Sequence, residues 1–175
     1  DLKNFFILHE GLVRMTDGEL EETGYDDITA YEIDPRVRTQ AERLDVATSG
    51  WIGYTDHYWM TTLIPDQATP FRSTSKYFDS RDLFQAEAVM PIETVAAGQT
   101  ATVTTRLFAG AKEWEAIRNY QNDDGVAGFL DSIDWGWFFF LTKPIFALLH
   151  YLNIVIGNMG WSILALTVIL KIIVL

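Results

Sequence analysis

The final third of the chain most constrains what this sequence can fold into. No formally charged residue occurs between Pro144 and Leu170, and Lys171 then stands alone in an apolar run that reaches Leu175. A single cation in such a sequence costs about 2.5 to 3.5 kcal/mol near the centre of a bilayer. The position favours a functional role for Lys171, because hydrocarbon alone offers nothing that compensates its charge.

Charge is divided unevenly along the chain. The 175 residues include 24 carboxylates and 13 Lys and Arg side chains. Residues 1–134 hold every carboxylate and 11 of the basic side chains, a formal charge of −13, whereas residues 135–175 carry only Lys143 and Lys171. This acidity excludes a nucleic-acid binder, which needs a basic surface. The absence of cysteine excludes disulfides, thiol catalysis and zinc–thiolate sites.

Residues 1–110 carry the pattern of a β-rich domain. Runs rich in apolar, aromatic and β-branched residues occur at 5–15, 51–64 and 84–90, with turn residues between them. The clearest alternation runs over residues 100–108. Its expected apolar face comprises Ala101, Val103, Thr105 and Leu107. Such strands predict an antiparallel sandwich, and the acid-rich stretch 17–49, which lacks calcium-loop spacing, predicts a solvated loop and no metal site.

After residue 110 the periodicity changes to that of helices. Residues 111–120 place Trp114 and Ile117 on one stripe, which predicts a helix, and residues up to 134 then form a linker that closes the domain. From residue 135 the sequence predicts a membrane-facing part with an aromatic cluster at headgroup depth. The residues assigned to the membrane interface are Trp135, Trp137, Phe138, Lys143 and Trp161.

Residues 135–158 predict an amphipathic helix that lies in the membrane interface. Lys143, His150 and Asn153 share one helical face, and Pro144 is expected in the first turn or at a bend. An isolated His150 does not make a catalytic or metal site. Gly157 and Asn158 predict the end of this helix, because Gly and Asn commonly follow the last turn of a helix.

Residues 160–175 predict the start of a transmembrane helix. The 15 residues from Trp161 span only about 22 Å at 1.5 Å each, short of the ~30 Å hydrocarbon core, so we expect the helix to continue. Lys171 lies about 16 Å along this helix, with Thr167 one turn earlier on the same face. Two interpretations remain open: a polar groove inside a helix bundle, or a lysine that extends to the opposite membrane surface.

Four segments, 134–137, 140–149, 157–163 and 167–171, resemble the YidC family of bacterial membrane insertases. Their order matches the end of the periplasmic domain, an amphipathic surface helix and the second transmembrane helix of that family. Residues 50–65 and 98–110 are similar to the later part of its periplasmic domain. The resemblance implies further parts before and after this sequence: a first transmembrane helix and an early periplasmic half, and later transmembrane helices with a cytoplasmic hairpin.

The resemblance also implies fold and function. The periplasmic domain would belong to a β-supersandwich, and Lys171 and Thr167 would line a hydrophilic groove that receives the polar segment of a substrate. The family most often has arginine at the position of Lys171, and lysine keeps the charge without the guanidinium fork. The implied activity is that of a non-enzymatic insertase and chaperone of the inner membrane, multi-pass, with residues 1–134 in the periplasm.

The implied partners are nascent membrane proteins, the lipid bilayer, the Sec translocon and, through parts outside this sequence, the ribosome. No glycine-rich phosphate loop occurs, so we expect neither nucleotide nor another cofactor. Two rival hypotheses are a purely structural membrane subunit and a tethered sugar-binding sandwich. The sugar-binding alternative would use a local cluster of His57, Trp51, Tyr54, Tyr58 and Trp59.

Overall fold

The computed structural model describes residues 9–135 and 139–174. The chain divides into two compact units, residues 1–133 and residues 134–175. The described part of the first unit contains nine strands, two α-helices and two short 3-10 helices. The strands are β1 Gly11–Thr16, β2 Glu19–Gly24, β3 Ile33–Asp34, β4 Thr39–Val46, β5 Gly50–Thr55, β6 Trp59–Pro65, β7 Phe71–Phe78, β8 Leu83–Val89 and β9 Thr105–Ala111. The helices are α1 Tyr25–Thr29 and α2 Trp114–Asn122, with 3-10 turns at Asp79–Arg81 and Phe129–Ser132.

The strands form two antiparallel sheets, which confirms the predicted β-rich sandwich. The five-stranded sheet has the order β2-β1-β5-β6-β9, and the four-stranded sheet has the order β3-β4-β7-β8. In the first sheet Arg14 lies opposite Glu21 of β2 and Ile52 of β5. In the second sheet Glu42 of β4 lies opposite Ser75 of β7. These registers decide which side chains face the space between the sheets, because side chains alternate along each strand.

One face of the five-stranded sheet packs under α2 and the second 3-10 turn. Trp51, fully buried, anchors this core: its indole N–H donates to the carbonyl of Ala127 at 3.0 Å, and its ring meets Phe129 edge-on at 5.4 Å. The buried members of this core are Val13, Met15, Trp51, Met60, Ile64, Phe108, Ile117, Val126 and Phe129. Large aromatic side chains therefore supply much of the apolar area that stabilises this side of the sheet.

The opposite face of the same sheet packs against the four-stranded sheet and α1. Its buried residues are Leu12, Ile28, Ile52 and Tyr77. This layer is smaller and more polar than the first, since Arg14, Ser73 and Ser75 are also buried and lie on strands that face it. The sandwich thus has one aromatic, largely apolar core and one mixed core.

The expected strand at residues 100–108 was only partly right. The strand β9 begins at Thr105, where it first pairs with Pro65 of β6. Residues 100–104 have no ladder partner, and alternation alone does not make a strand without one. The predicted face was also wrong, because Leu107 is 59 % exposed whereas Phe108 is 7 % exposed and packs on Tyr120 and Phe129.

The acid-rich stretch 17–49 is not a solvated loop. It contains β2, α1, β3 and β4, and two of its carboxylates, Glu21 and Glu42, form ion pairs with the buried Arg14. Strands at the edge of a sandwich carry charged residues on their open face. Strands with such a composition are not predicted when strands are identified by hydrophobic runs alone.

The second unit contains two helices, α3 Phe139–Ile156 and α4 Met159–Val174. Gly157 adopts a left-handed φ of 71°, and its N–H donates to the carbonyl of Asn153 at 2.8 Å. This is the C-terminal geometry predicted for Gly157. Pro144 lies in the second turn of α3 and not in the first. Because proline has no N–H, this position loses one hydrogen bond of the helix. None of the described helices is both long and apolar enough to cross a membrane.

Candidate membrane-facing site

The predicted groove residues lie on one face of α4. Thr167 and Lys171 are both exposed and stand one turn apart, about 6 Å along the axis. The Thr167 hydroxyl donates to the carbonyl of Leu164 at 2.7 Å. The hydroxyl proton is therefore used in a hydrogen bond within the helix, and the hydroxyl oxygen can still accept a hydrogen bond from outside the helix.

The opposite face of α4 is the buried one. Ser162 is fully buried and Leu166 is 8 % exposed, and α3 is the element that packs extensively against α4. At 3.6 residues per turn, Lys171 lies about 180° around the helix from Ser162. The structure thus brings Thr167 and Lys171 together on a face directed away from α3, and the substrate-binding role of both residues remains a prediction.

The connection between the helices is built from Gly157 and Asn158. The Asn158 side-chain oxygen accepts a hydrogen bond from the Trp161 N–H at 3.2 Å, and the Ser162 hydroxyl donates to the Asn158 carbonyl at 2.8 Å. Asn158 is therefore the N-cap of α4 as well as part of the turn that ends α3. Asn158 was predicted only as part of the end of α3, although an Asn immediately before an apolar run is also an N-cap signal.

A second cluster gathers at the start of α3. The Trp135 carbonyl accepts a hydrogen bond from the Thr142 hydroxyl at 2.9 Å. The Trp135 ring meets Phe146 edge-on at 5.7 Å, and the Lys143 ammonium lies 5.9 Å from its centroid. The structure thus joins two of the predicted interface residues, Trp135 and Lys143. The predicted Trp137 and Phe138 lie outside the described residues.

The exposed surface of α3 is largely apolar. Lys143, His150 and Asn153 are half-buried, whereas Ile154 is 67 % exposed. The other exposed large apolar or aromatic side chains of α3 are Phe140, Leu141, Phe146, Tyr151, Val155 and Ile156. Trp161, the remaining predicted interface residue, is also exposed, at the start of α4. Contiguous apolar surface of this kind marks a site of contact with membrane or protein.

The aromatic cluster of the sugar-binding hypothesis does not assemble. Trp51 points into the core beneath α2, and Tyr54 packs on the other face of the sheet, against Tyr25 and Phe84. His57 contacts Tyr58 at a ring distance of 4.3 Å, on the exposed turn between β5 and β6. The Trp51 and Tyr54 rings are thus separated by the sheet and cannot line one cleft with His57.

The buried ion cluster of the first unit was not predicted from the sequence. Arg14 is fully buried, and its guanidinium donates to Glu21 at 2.6 and 3.1 Å and also to Glu42. Burial opposes the charge, but the hydrogen bonds and charges of the two carboxylates outweigh it and raise the pKa of Arg14. The available signal was Arg14 itself, a charged residue within the apolar run of β1, two residues after Leu12 and therefore on the same face of the strand.

Comparison with known proteins gives a consistent relationship over the whole chain. Residues 1–148 match the family model described as the YidC periplasmic domain. The membrane protein insertase YidC of Ruegeria pomeroyi is 63 % identical over 173 residues, which cover 99 % of this chain and 28 % of that protein. The relative of the same name from Roseobacter denitrificans is 62 % identical over 175 residues, 100 % of this chain and 29 % of that protein.

A third relative with this name, from Paracoccus denitrificans, is 55 % identical over 175 residues, which cover 99 % of this chain and 27 % of that protein. The chain thus spans less than a third of the length of these relatives. The family model and the alignments, which cover nearly the whole chain, lead to the same assignment. This chain belongs to the YidC family.

Proposed function

We propose that this chain is part of a membrane protein insertase and chaperone of the bacterial inner membrane. The observation that carries the proposal is an identity of 55 to 63 % to relatives named membrane protein insertase YidC. The activity is non-enzymatic. Transfer of an apolar substrate segment of ~20 residues from water into the bilayer is favourable, and this free energy drives insertion without a nucleotide.

The groove role falls to Lys171 and Thr167. Lys171 supplies a positive charge, and the Thr167 oxygen supplies a hydrogen-bond acceptor about one turn away. An ammonium in a water-filled groove attracts the acidic or polar segment of an incoming chain. The apolar segment then leaves into lipid along α4. The position of both residues on the face opposite Ser162 supports this role, because α3 does not obstruct that face.

The helices α3 and α4 have separate roles in this proposal. The helix α3 lies in the periplasmic membrane interface, where its exposed apolar residues contact acyl chains and Trp135 and Lys143 lie at headgroup level. The helix α4 forms part of a transmembrane helix in a multi-pass protein. Residues 1–134 then lie in the periplasm, and the Sec translocon and the ribosome act as partners of the whole protein.

Site-specific photo-crosslinking tests this proposal directly. A photoreactive amino acid is placed at position 167 or 171 of the full-length protein, and crosslinks to a stalled nascent membrane protein are measured. The matched controls are Ala165 and Ile169, which are half-buried positions of the same helix. We expect crosslinks to nascent chain from 167 and 171 that fade at 165 and 169. Crosslinks from 167 and 171 to lipid alone would contradict the groove role.

A further inference from the structure

The contact between α3 and α4 contains a polar side chain, Ser162, to which the proposed function assigns no role. Among the residues of α4 whose side chains the structure describes, only Ser162 and Leu166 are buried, and they lie one turn apart on one side of the helix. The helix α3 packs extensively against α4, so this side is the one in contact with α3. A serine in an otherwise apolar contact calls for a physical reason, because a buried hydroxyl is costly unless it is hydrogen-bonded.

The hydroxyl of Ser162 is satisfied within the first turn of α4. It donates to the Asn158 carbonyl at 2.8 Å, and the Ser162 N–H donates to the same carbonyl at 3.0 Å. The Asn158 side-chain oxygen accepts from the Trp161 N–H at 3.2 Å. Three hydrogen bonds thus tie Asn158 to the first turn of α4, and they fix the rotation of α4 about its axis relative to Asn158.

The residue before Asn158 is tied to α3 in turn. The N–H of Gly157 donates to the carbonyl of Asn153, in the last turn of α3, at 2.8 Å. Gly160 favours the same arrangement, since a Cβ there would lie 3.3 Å from the Asn158 side-chain oxygen, closer than an ordinary van der Waals contact. Hydrogen bonds on both sides of a two-residue connection therefore relate the end of α3 to the start of α4.

The small volume of Ser162 suits its buried position. A small residue lets two helix backbones approach closely, whereas a branched apolar side chain at this position would enter the space that α3 occupies. Overpacking of such a contact forces the neighbouring elements to move. Rotation of α4 about its axis relieves the clash, because it carries the larger side chain out of the contact.

The rotation of α4 decides where its cation lies. Successive residues are about 100° apart, so Lys171 lies about 180° from Ser162, and Leu164 lies within about 20° of Lys171. Leu164 is 56 % exposed, in agreement with this placement. A rotation that removes residue 162 from the contact would move Lys171 towards α3.

We propose that Ser162 is a positioning residue, which holds the face of α4 that bears Thr167 and Lys171 away from α3. The inference rests on the proposed function, in which that face receives the polar segment of a substrate. Ser162 does not touch the substrate. It acts through the rotation of α4, because it is small enough for a close contact and is hydrogen-bonded to Asn158.

Photo-crosslinking in the full-length protein tests the inference while Lys171 stays in place. A photoreactive amino acid is introduced at Leu164, on the open face, or at Ile169, which is half-buried and lies within about 20° of Ser162. Crosslinks to a stalled nascent membrane protein are compared between the wild type and Ser162→Leu. In the wild type we expect crosslinks from position 164 and few from 169. In Ser162→Leu we expect those from 164 to be lost and those from 169 to rise.

Two matched variants control for the change of residue. Ser162→Ala should keep the wild-type pattern, because the side chain stays small and the Asn158 carbonyl keeps the backbone N–H of residue 162. Val168→Leu enlarges a side chain that is 57 % exposed and should keep the pattern as well. If Ser162→Leu does not accumulate in the membrane, Ser162→Val takes its place with the same expectation.

The redistribution between positions 164 and 169 separates positioning from a general loss of structure. An unchanged pattern in Ser162→Leu or its substitute would overturn the inference, and so would an equal loss at both positions. Either result leaves the proposed function intact, because the wild type still gives crosslinks to nascent chain. Crosslinks to lipid alone in the wild type would instead remove the proposed function and this inference with it.

Discussion

The two units of this chain place their apolar side chains in opposite ways. In the β unit, Trp51, Phe129 and Ile117 are fully buried. In the helical unit, Ile154, Trp161 and Ile172 are each at least 66 % exposed. A sandwich that buries its aromatic residues is built for water, whereas a hairpin that exposes them is built for a partner or for lipid. One chain thus combines a unit whose surface suits water with a unit whose surface suits lipid or a protein partner.

Charge follows the same division. The β unit pairs its charges, as in the Arg14 cluster and the ion pair of Arg43 with Asp34 at 3.0 Å. In the helical unit, residues 135–175 carry two cations and no acidic side chain. Lys143 lies over an aromatic ring, and Lys171 lies on the exposed face of α4. Substitutions in the helical unit should therefore change insertion of a substrate, whereas substitutions in the β unit should change the stability of the fold.

The largest expected effect comes from reversing the charge in the helical unit. Lys171→Glu in the full-length protein should block insertion of a single-span substrate with an acidic tail, because like charges repel in the groove. Lys171→Arg should retain insertion, since it keeps the positive charge. Protease protection of the substrate measures the outcome. Normal insertion by Lys171→Glu, or by Lys171→Leu, would show that the charge is not used.

The next largest effect concerns the aromatic core. Trp51→Ala should destabilise the β unit by about 3 to 5 kcal/mol, the usual range for a large aromatic residue in a packed core. It also leaves the Ala127 carbonyl without its indole donor. Urea unfolding followed by circular dichroism measures the loss. Trp59→Ala is the control, because Trp59 is 63 % exposed and should cost much less.

A smaller effect is expected at the turn of the hairpin. Gly157→Ala places a Cβ on a residue with φ of 71° and should destabilise the α3–α4 turn by about 1 kcal/mol. The added Cβ meets no other atom within 4 Å, so the cost is conformational and not steric. Gly157→Asn should cost less, because Asn tolerates this region better. Thermal unfolding of the helices in detergent compares the two variants, and equal values for both would contradict the explanation.

The smallest effect concerns a surface carboxylate of the β unit. Asp17 accepts hydrogen bonds from the N–H groups of Ala47, Thr48 and Ser49, and these bonds lower its pKa far below the ordinary value. Its contribution to stability is therefore present above about pH 4 and is lost as the pH falls towards the folded-state pKa. Asp17→Asn suits the left-handed φ of 50° and removes the charge. The difference in Tm between the wild type and this variant should narrow from pH 7 to pH 3, and a constant difference would contradict the role of ionisation.

The features that the sequence made predictable are those set by local chemistry. Gly157 ends α3 because a left-handed residue is needed there, and Thr167 and Lys171 share a face because they are four residues apart. The antiparallel β class followed from β-branched and aromatic runs such as residues 51–64. None of these required knowledge of distant contacts.

The features that escaped prediction depend on partners far away in sequence. Arg14 is stable in the interior because Glu21 and Glu42 both pair with it, and Glu42 comes 28 residues later in the chain. The strand β9 begins where Pro65 supplies a partner, so the alternation of residues 100–104 carried no information about pairing. The direction of Phe108 depends on Tyr120 and Phe129, which come later in the chain.

The two-residue connection between α3 and α4 makes the hairpin a spacer of fixed length. Lys171 lies 12 residues after Met159, which is about 18 Å along the axis. Gly157 and Asn158 both make hydrogen bonds that end one helix and begin the next, and these bonds restrain the turn. The ammonium of Lys171 is therefore held at a set distance along α4 from the end of α3. Under the proposed membrane placement, the depth of this charge would follow from the position of α3.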